Sequence, residues 1–240
     1  MLPIYVSVGL AWESAERAMV SALLTRDAFR AHVRPLVSLS LNMRDVYAAT
    51  HWAVQGRPPA YHTPDEDVYL PGRNIVLLGK AGVYCAAAHI NRLVLGTLAH
   101  NPFPDATPTF RSAMAEALSL GLGRTIRIEA PYAKVSKPEI IRRGVALGVP
   151  FELTLSCMKP VRKVQEVQGV QTVRQVQRVR QAQKARKPQE PFEPLEPLEP
   201  VEPLFLHCGT CSKCRERHDA FLEAGVPDRT DYVDVTYVGA

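Results

Sequence analysis

Close to the C-terminus the chain reads His207-Cys208-Gly209-Thr210-Cys211-Ser212-Lys213-Cys214, which sets three thiols at two-residue spacing. That spacing lets successive thiolates converge on one tetrahedral ion, and the glycine permits the tight turn between them. A closed site needs a fourth ligand, and Cys157, in Leu155-Ser156-Cys157-Met158, is the candidate. Zinc is the expected metal. An iron–sulfur cluster is the rival, since four thiolates serve either. Three unrelated buried thiols are the remaining reading, and the close spacing speaks against it. Cys85 differs from these four: alone in a helical apolar stripe, it reads as a small core residue. The odd count of five cysteines, three of them in one octapeptide, fits a metal site in a reducing compartment better than a disulfide framework. A cytoplasmic location is expected. No apolar run reaches the ~20 residues of a membrane span, and no secretory leader is legible at the N-terminus.

The segment from Val161 to Leu204 separates Cys157 from the array and differs from the rest. Valine recurs every third residue from Val161 to Val179, and the period passes into Glu193-Pro194-Leu195, Glu196-Pro197-Leu198 and Glu199-Pro200-Val201. A strict period of three drifts around an α-helix and cannot hold one apolar stripe, and the prolines favour an extended conformation. Residues 161–204 are therefore expected to be a disordered, solvated and dispensable low-complexity insertion. A specific binding arm, or an isolated basic helix from Arg162 to Lys187, is the alternative. Loop closure grows only logarithmically with length, at about 0.6 kcal/mol per doubling, so such an insertion need not keep Cys157 from Cys208. Charge is local too: eight Lys/Arg face one Glu from Val161 to Lys187, and five Glu follow with no basic residue to Phe205. The net charge of +5 thus leaves the folded part only mildly cationic, which suits an anionic small substrate as well as RNA.

A chain of 240 residues, 46% of them hydrophobic, has the means to bury one full core plus a small appendage. Pro3–Leu10 alternates as a strand, Glu13–Arg26 carries one helical stripe, and Leu36–Leu41 reads as a second strand. A polar, proline-rich stretch follows from about Asn42 to Gly72. Asn74–His89 is helical, with Ile75, Leu78, Gly82 and Cys85 on one side, and Gly79-Lys80-Ala81 inside it is ordinary helix interior. Arg92–Leu98 has the pattern of a strand buried on both faces. Thr109–Leu120 is helical and Arg124–Ala130 alternates. Ser136-Lys137-Pro138-Glu139 is a capping box that opens a helix closed by Gly148. Strand alternating with helix implies an α/β fold with a mostly parallel sheet over residues 1–157, followed after the insertion by a metal-binding segment, 205–240.

Several short pieces, in order, resemble the 7-cyano-7-deazaguanine synthases, zinc-containing ligases of the PP-loop ATP-pyrophosphatase group. They are Tyr69-Leu70-Pro71-Gly72-Arg73-Asn74, the run Asn101 to Phe110 with its Pro104-Asp105 pair, Ser136-Lys137-Pro138-Glu139-Ile140-Ile141, Leu155-Ser156-Cys157 with the Cys208–Cys214 array, and Ala224-Gly225-Val226-Pro227-Asp228 with Tyr232. The resemblance implies a Rossmann-like, mostly parallel sheet of the adenine-nucleotide alpha-hydrolase type, with a small C-terminal zinc-binding helical appendage. It implies zinc on Cys157, Cys208, Cys211 and Cys214, ATP with Mg2+ as a substrate, and conversion of 7-carboxy-7-deazaguanine and ammonia to the nitrile in queuosine biosynthesis. No membrane is implied, nucleic acid is not expected, and a homodimer is allowed.

By the same resemblance Arg73 and Lys137 are the cations for phosphate or carboxylate, and Asp105 is the acceptor for a purine-like base edge or ammonia. An ion pair for Arg73 and an exposed helix-start lysine for Lys137 are the plain alternatives. No residue is assigned to gripping the nucleotide. The family's serine-glycine-glycine-x-aspartate-serine loop has no counterpart here, and Met1 falls where its second strand begins. The first strand, loop and helix are therefore expected to be missing, and the chain as written is expected not to turn over. Two other functions fit the same residues: a PP-loop tRNA-modifying enzyme with thiolation chemistry, and a non-catalytic zinc-stabilised binding protein.

Overall fold

The computed structural model describes residues 1–163 and 204–238. Strand β1 (Ile4–Ser7) leads through helix α1 (Glu13–Leu24) and the short α2 (Asp27–Arg30) to β2 (Val37–Ser40). The two strands pair in parallel, Ile4 opposite Val37 and Ser7 opposite Ser40. Two short elements, α3 (Trp52–Gln55) and a single turn at Asp65–Val68, precede the long helix α4 (Arg73–Ala87). A second parallel unit follows: β3 (Arg92–Val94), α5 (Pro108–Leu122) and β4 (Arg127–Glu129), with Leu93 opposite Ile128. The α/β class and the parallel strands agree with the alternation of the sequence.

Among the described residues the sheet is not continuous, however. β1 pairs only with β2, and β3 only with β4. Between β1 and β3 lies an apolar slot of ≈ 770 Å³, walled by Ile4 and Val6 on one side and Leu93 and Leu95 on the other. Its floor is α4, through Leu77, Leu78, Ala81 and Cys85. Helix α4 therefore joins the two units, packing on β1, β3 and α5. Its stripe of Leu78, Ala81, Gly82 and Cys85 is buried at helical spacing. Gly82 lets α5 approach so closely that a Cβ there would lie 2.7 Å from Leu118 Cδ1. Burying a leucine such as Leu78, 1% exposed, contributes roughly 1.5–3 kcal/mol.

Two expectations from the sequence need correction. Arg92–Leu98 is not a strand buried on both faces: it pairs over three residues, with Leu93 buried against α4 and Arg92 and Val94 exposed, because only one face is covered. Ile75 is 50% exposed, outside the stripe that Leu78 begins. The polar, proline-rich stretch from Asn42 to Gly72 also supplies part of the core. Met43, Tyr47, Ala53, Val68 and Leu70 form one core cluster with Val8, Leu10 and Trp12, and Trp12 stacks on Trp52 with ring centroids 5.7 Å apart.

Helix α6 (Lys137–Ala146) opens as expected: Ser136 Oγ accepts from the Glu139 N–H at 3.4 Å. The reciprocal half of the capping box is not made, because the Glu139 carboxylate turns to Arg142 and Arg143, at 3.2 and 3.0 Å. Gly148 closes the helix with φ +67. The 161–204 insertion lies outside the described residues except at its ends. There, β5 (Val161–Arg162) pairs antiparallel with β6 (Phe205–Leu206), and the Lys163 N–H donates to Leu204 O at 3.0 Å. That ladder belongs to the folded unit and brings Cys157 toward the array. Helix α7 (Ser212–Ala224) then packs on α6 through Ile141, Ala220 and Phe221. No helix among the described residues is long and apolar enough to cross a membrane.

Candidate metal centre and adjoining cleft

The fold brings Cys157, at the foot of the β5–β6 ladder, against Cys208, Cys211 and Cys214 at the start of α7. All four side chains are buried, and their sulfurs lie within 4.8 Å of one another. Cys208 and Cys211 Sγ stand 3.8 and 3.5 Å from Cys214 Sγ. Four thiolates held tetrahedrally at about 2.3 Å from one ion stand about 3.8 Å apart, so this donor set fits a single metal ion. These separations are far too long for a disulfide bond, and all four cysteines are free.

Backbone donors surround the sulfurs. Cys157 Sγ accepts from Cys208 N–H at 3.2 Å and from Lys159 N–H at 3.3 Å, and Cys208 Sγ accepts from Thr210 N–H at 3.4 Å. Such donors favour thiolate over thiol. The hydrogen bonds the cysteines share hold the Cys208 thiol far below its ordinary value and push the Cys157 thiol up, so the four titrate as one unit.

Gly209 makes the turn of the array, with φ +80, and an added Cβ would collide with the backbone carbonyl of Asp234. Alanine there combines left-handed strain, about 1–3 kcal/mol, with that collision. Gly209→Ala should lower stability by at least about 2 kcal/mol and loosen the metal, as read by denaturant unfolding and by metal retention against a chelator.

His207 flanks the array but turns away from it. Burial, then the Arg217 charge, push its pKa down to about 3. The imidazole is therefore neutral, and Nε2 accepts from Ser156 N–H at 3.3 Å. Arg217, 6% exposed, holds the lobe together from behind: it donates to Thr230 Oγ1 at 2.6 Å, Thr154 Oγ1 at 3.0 Å and Phe151 O at 3.0 Å, and lies 5.1 Å over the Phe221 ring.

A cleft of ≈ 380 Å³ adjoins the centre, within the size range of small-molecule sites. Arg73 and Asn74, at the start of α4, meet Asp105 there. Asp105 is 6% exposed and caps the helix: Oδ2 accepts from Asn74 N–H at 3.1 Å and Oδ1 from Asn74 Nδ2 at 3.3 Å. Arg73 Nε is buried with no hydrogen-bond partner, an uncompensated donor of the kind a ligand satisfies. Tyr69 and Phe103, stacked at 5.2 Å, add an aromatic wall.

The structure thus brings Arg73 and Asp105 to one cleft and does not bring Lys137 to its wall. Lys137 Nζ sits 2.9 Å behind, on Glu216 Oε1. Burial pushes its pKa down and the Glu216 charge opposes that. The wall itself is formed by Glu216 and Lys213, paired at 2.6 Å. Burial acts to raise the Glu216 pKa, but the Lys137 and Lys213 charges outweigh it and hold the carboxyl down at about 2. Sequence reasoning assigned Lys213, Glu216 and Arg217 no role. A signal existed for two of them: Lys213 lies between two array cysteines, and Glu216 follows at the i,i+3 spacing of a helical ion pair.

Comparison with known proteins follows the same lines. The model of the family described as queuosine biosynthesis protein QueC matches residues 48–172. A 7-cyano-7-deazaguanine synthase of Methanopyrus kandleri is 32% identical over 174 residues, which are 69% of this chain and 59% of that protein. Proteins of the same name from Caldicellulosiruptor bescii and an Anaeromyxobacter species are 30% and 29% identical, over 73% and 69% of the chain and 62% and 56% of their own lengths. The chain spans about six-tenths of the curated relatives it matches. The family match covers Arg73, Asp105, the Tyr69–Phe103 wall and Cys157, though not Lys213 or Glu216, and with it the chain belongs to the queuosine biosynthesis protein QueC family.

Proposed function

We propose that the cleft binds 7-carboxy-7-deazaguanine and serves an ATP-dependent carbon–nitrogen ligase that converts it, with ammonia, to 7-cyano-7-deazaguanine. The observation that carries this reading is the buried, unpartnered Arg73 Nε in a cleft that also holds Asp105 and the Tyr69–Phe103 wall. A flat, purine-like ring fits an aromatic wall, Arg73 suits a carboxylate or phosphate oxygen, and Asp105 accepts from a base edge or ammonia.

The chemistry needs two activations. The substrate carboxylate attacks the α-phosphorus of ATP, pyrophosphate leaves, and ammonia then displaces AMP to give the amide. The amide oxygen then attacks the α-phosphorus of a second ATP, pyrophosphate leaves, and the oxygen departs as AMP with loss of two protons, leaving the nitrile. Arg73 would offset the charge that develops on the acyl and phosphoryl oxygens, and Lys137 would hold the Glu216 carboxylate in place on that wall.

Zinc is the metal assigned to Cys157, Cys208, Cys211 and Cys214. Sulfurs within 4.8 Å of one another leave room for one ion, and not for a cluster that interposes several irons and sulfides. Four protein ligands close the site, so its part is structural.

Calorimetric titration of the chain with 7-carboxy-7-deazaguanine tests the reading. Binding should weaken about 10–100-fold in Arg73→Ala, the range of a lost charge-assisted hydrogen bond. Because these 240 residues carry no serine-glycine-glycine loop, the expected result with ATP and ammonia is binding without nitrile formation. Unchanged affinity in Arg73→Ala would remove the proposed substrate contact, and tight binding of tRNA instead would favour the tRNA-modifying reading.

A further inference from the structure

Lys213 occupies an unusual position. Its backbone lies between Cys211 and Cys214, both buried in the thiol cluster, while its side chain lines the cleft beside Arg73, Asn74 and Asp105. The ammonium is 2.6 Å from Glu216 Oε2, and Glu216 Oε1 is already committed to Lys137 at 2.9 Å. One carboxylate therefore serves two ammonium groups, which leaves that wall of the cleft with an excess of positive charge. Asp105, whose oxygens accept from the neutral Asn74, is offset by the Arg73 charge in the same cleft. Asp65, also on the wall, pairs with Arg215 at 2.9 Å. A lysine ammonium has three donors, and Glu216 uses one, so Lys213 reaches a ligand without giving up its partner.

We propose that Lys213 is the second cation of the cleft and binds an anionic oxygen of the ligand, carboxylate or phosphate. The inference rests on the cleft reading above and adds the contact for the charged group. Held by cysteines on both sides, the Lys213 backbone moves only if the thiol cluster moves, so the metal centre sets where this cation stands.

The test is titration of the 240-residue chain, and of Lys213→Met and Lys213→Arg, with three probes: 7-carboxy-7-deazaguanine, inorganic pyrophosphate, and neutral 7-deazaguanine. Metal content and melting temperature, unchanged in both variants, identify folded protein. The expected result is that Lys213→Met weakens the anionic probes about tenfold or more, leaves 7-deazaguanine unchanged, and is partly rescued by arginine. Dependence on Lys213 for pyrophosphate alone keeps the assignment, names phosphate as the source, and counts against the carboxylate substrate. Unchanged anion affinity in Lys213→Met overturns the assignment while the ligase reading stands. Equal weakening of all three probes overturns it as well, because loss of cleft shape, not charge recognition, would then be the cause. A wild-type chain that binds neither anion overturns it outright.

Discussion

A chain with serine at Cys157 is expected to emerge from purification without its zinc and with its C-terminal lobe unfolded, while α4 and α5 keep their protection from hydrogen exchange. Cys157 is the informative choice because it lies outside the array, 51 residues before Cys208, and only the fold brings the two together. Zinc held by small four-ligand sites binds with about 10–16 kcal/mol of free energy, which is folding free energy when the ligands are scattered in the unfolded chain. Even a fraction of that exceeds the effect of most single substitutions, about 1 kcal/mol. The wild-type chain should carry about one zinc by elemental analysis. Full zinc retention in Cys157→Ser would remove it as the fourth ligand. Iron in the wild type, with a visible charge-transfer band, would replace zinc as the metal.

Arg217→Ala should produce the second largest loss, about 3–5 kcal/mol, the range for removing one partner from a buried charged network. The guanidinium ties Phe151 and Thr154, which precede Cys157, to Thr230, which follows α7. Its loss removes the donor to the Thr154 and Thr230 hydroxyls, one on each side, while Phe151 O keeps the Thr154 N–H and hydroxyl. Asp228 nearby, its side chain 8% exposed, would keep its donors, the Tyr232 hydroxyl at 2.7 Å and the Thr230 N–H at 3.0 Å, but lose the charge that favours its ionised form. Lysine at 217 should recover a minor part, since an ammonium cannot span three acceptors in one plane. Chemical denaturation of the zinc-loaded proteins is the measurement. A change below about 1 kcal/mol would show that the network is dispensable.

What was legible in the sequence follows from how local each signal is. The cysteine array declares itself because metal ligation constrains residues two apart, and Cys157 stood out as the remaining thiol outside a helical stripe. Ser136, Pro138 and Gly148 bracket α6 with the cap, first-turn proline and left-handed exit that mark helix ends generally. The Asn42–Gly72 core was not legible, because Met43, Tyr47, Ala53, Val68 and Leu70 are spread over turns and single helical turns and follow neither period. Lys137 was read as a cation for phosphate or carboxylate because it begins a helix in a matching motif. Its actual partner, Glu216, is 79 positions away and meets it only through the packing of α6 on α7.

The gap between β1 and β3 bears on how these 240 residues behave in company. Each strand shows one row of backbone N–H and C=O groups with no strand partner among the described residues, and both rows border the same apolar volume. An exposed strand edge is a template for another chain, and natural proteins blunt such edges with charge, proline or cover. Pro3 and Arg92 sit at the two margins, but the interior of the gap carries Ile4, Val6, Leu93 and Leu95. An apolar gap bordered by open strand edges is the kind of place where another extended segment pairs without much discrimination. The concentration of these 240 residues is therefore expected to matter for how they behave in solution.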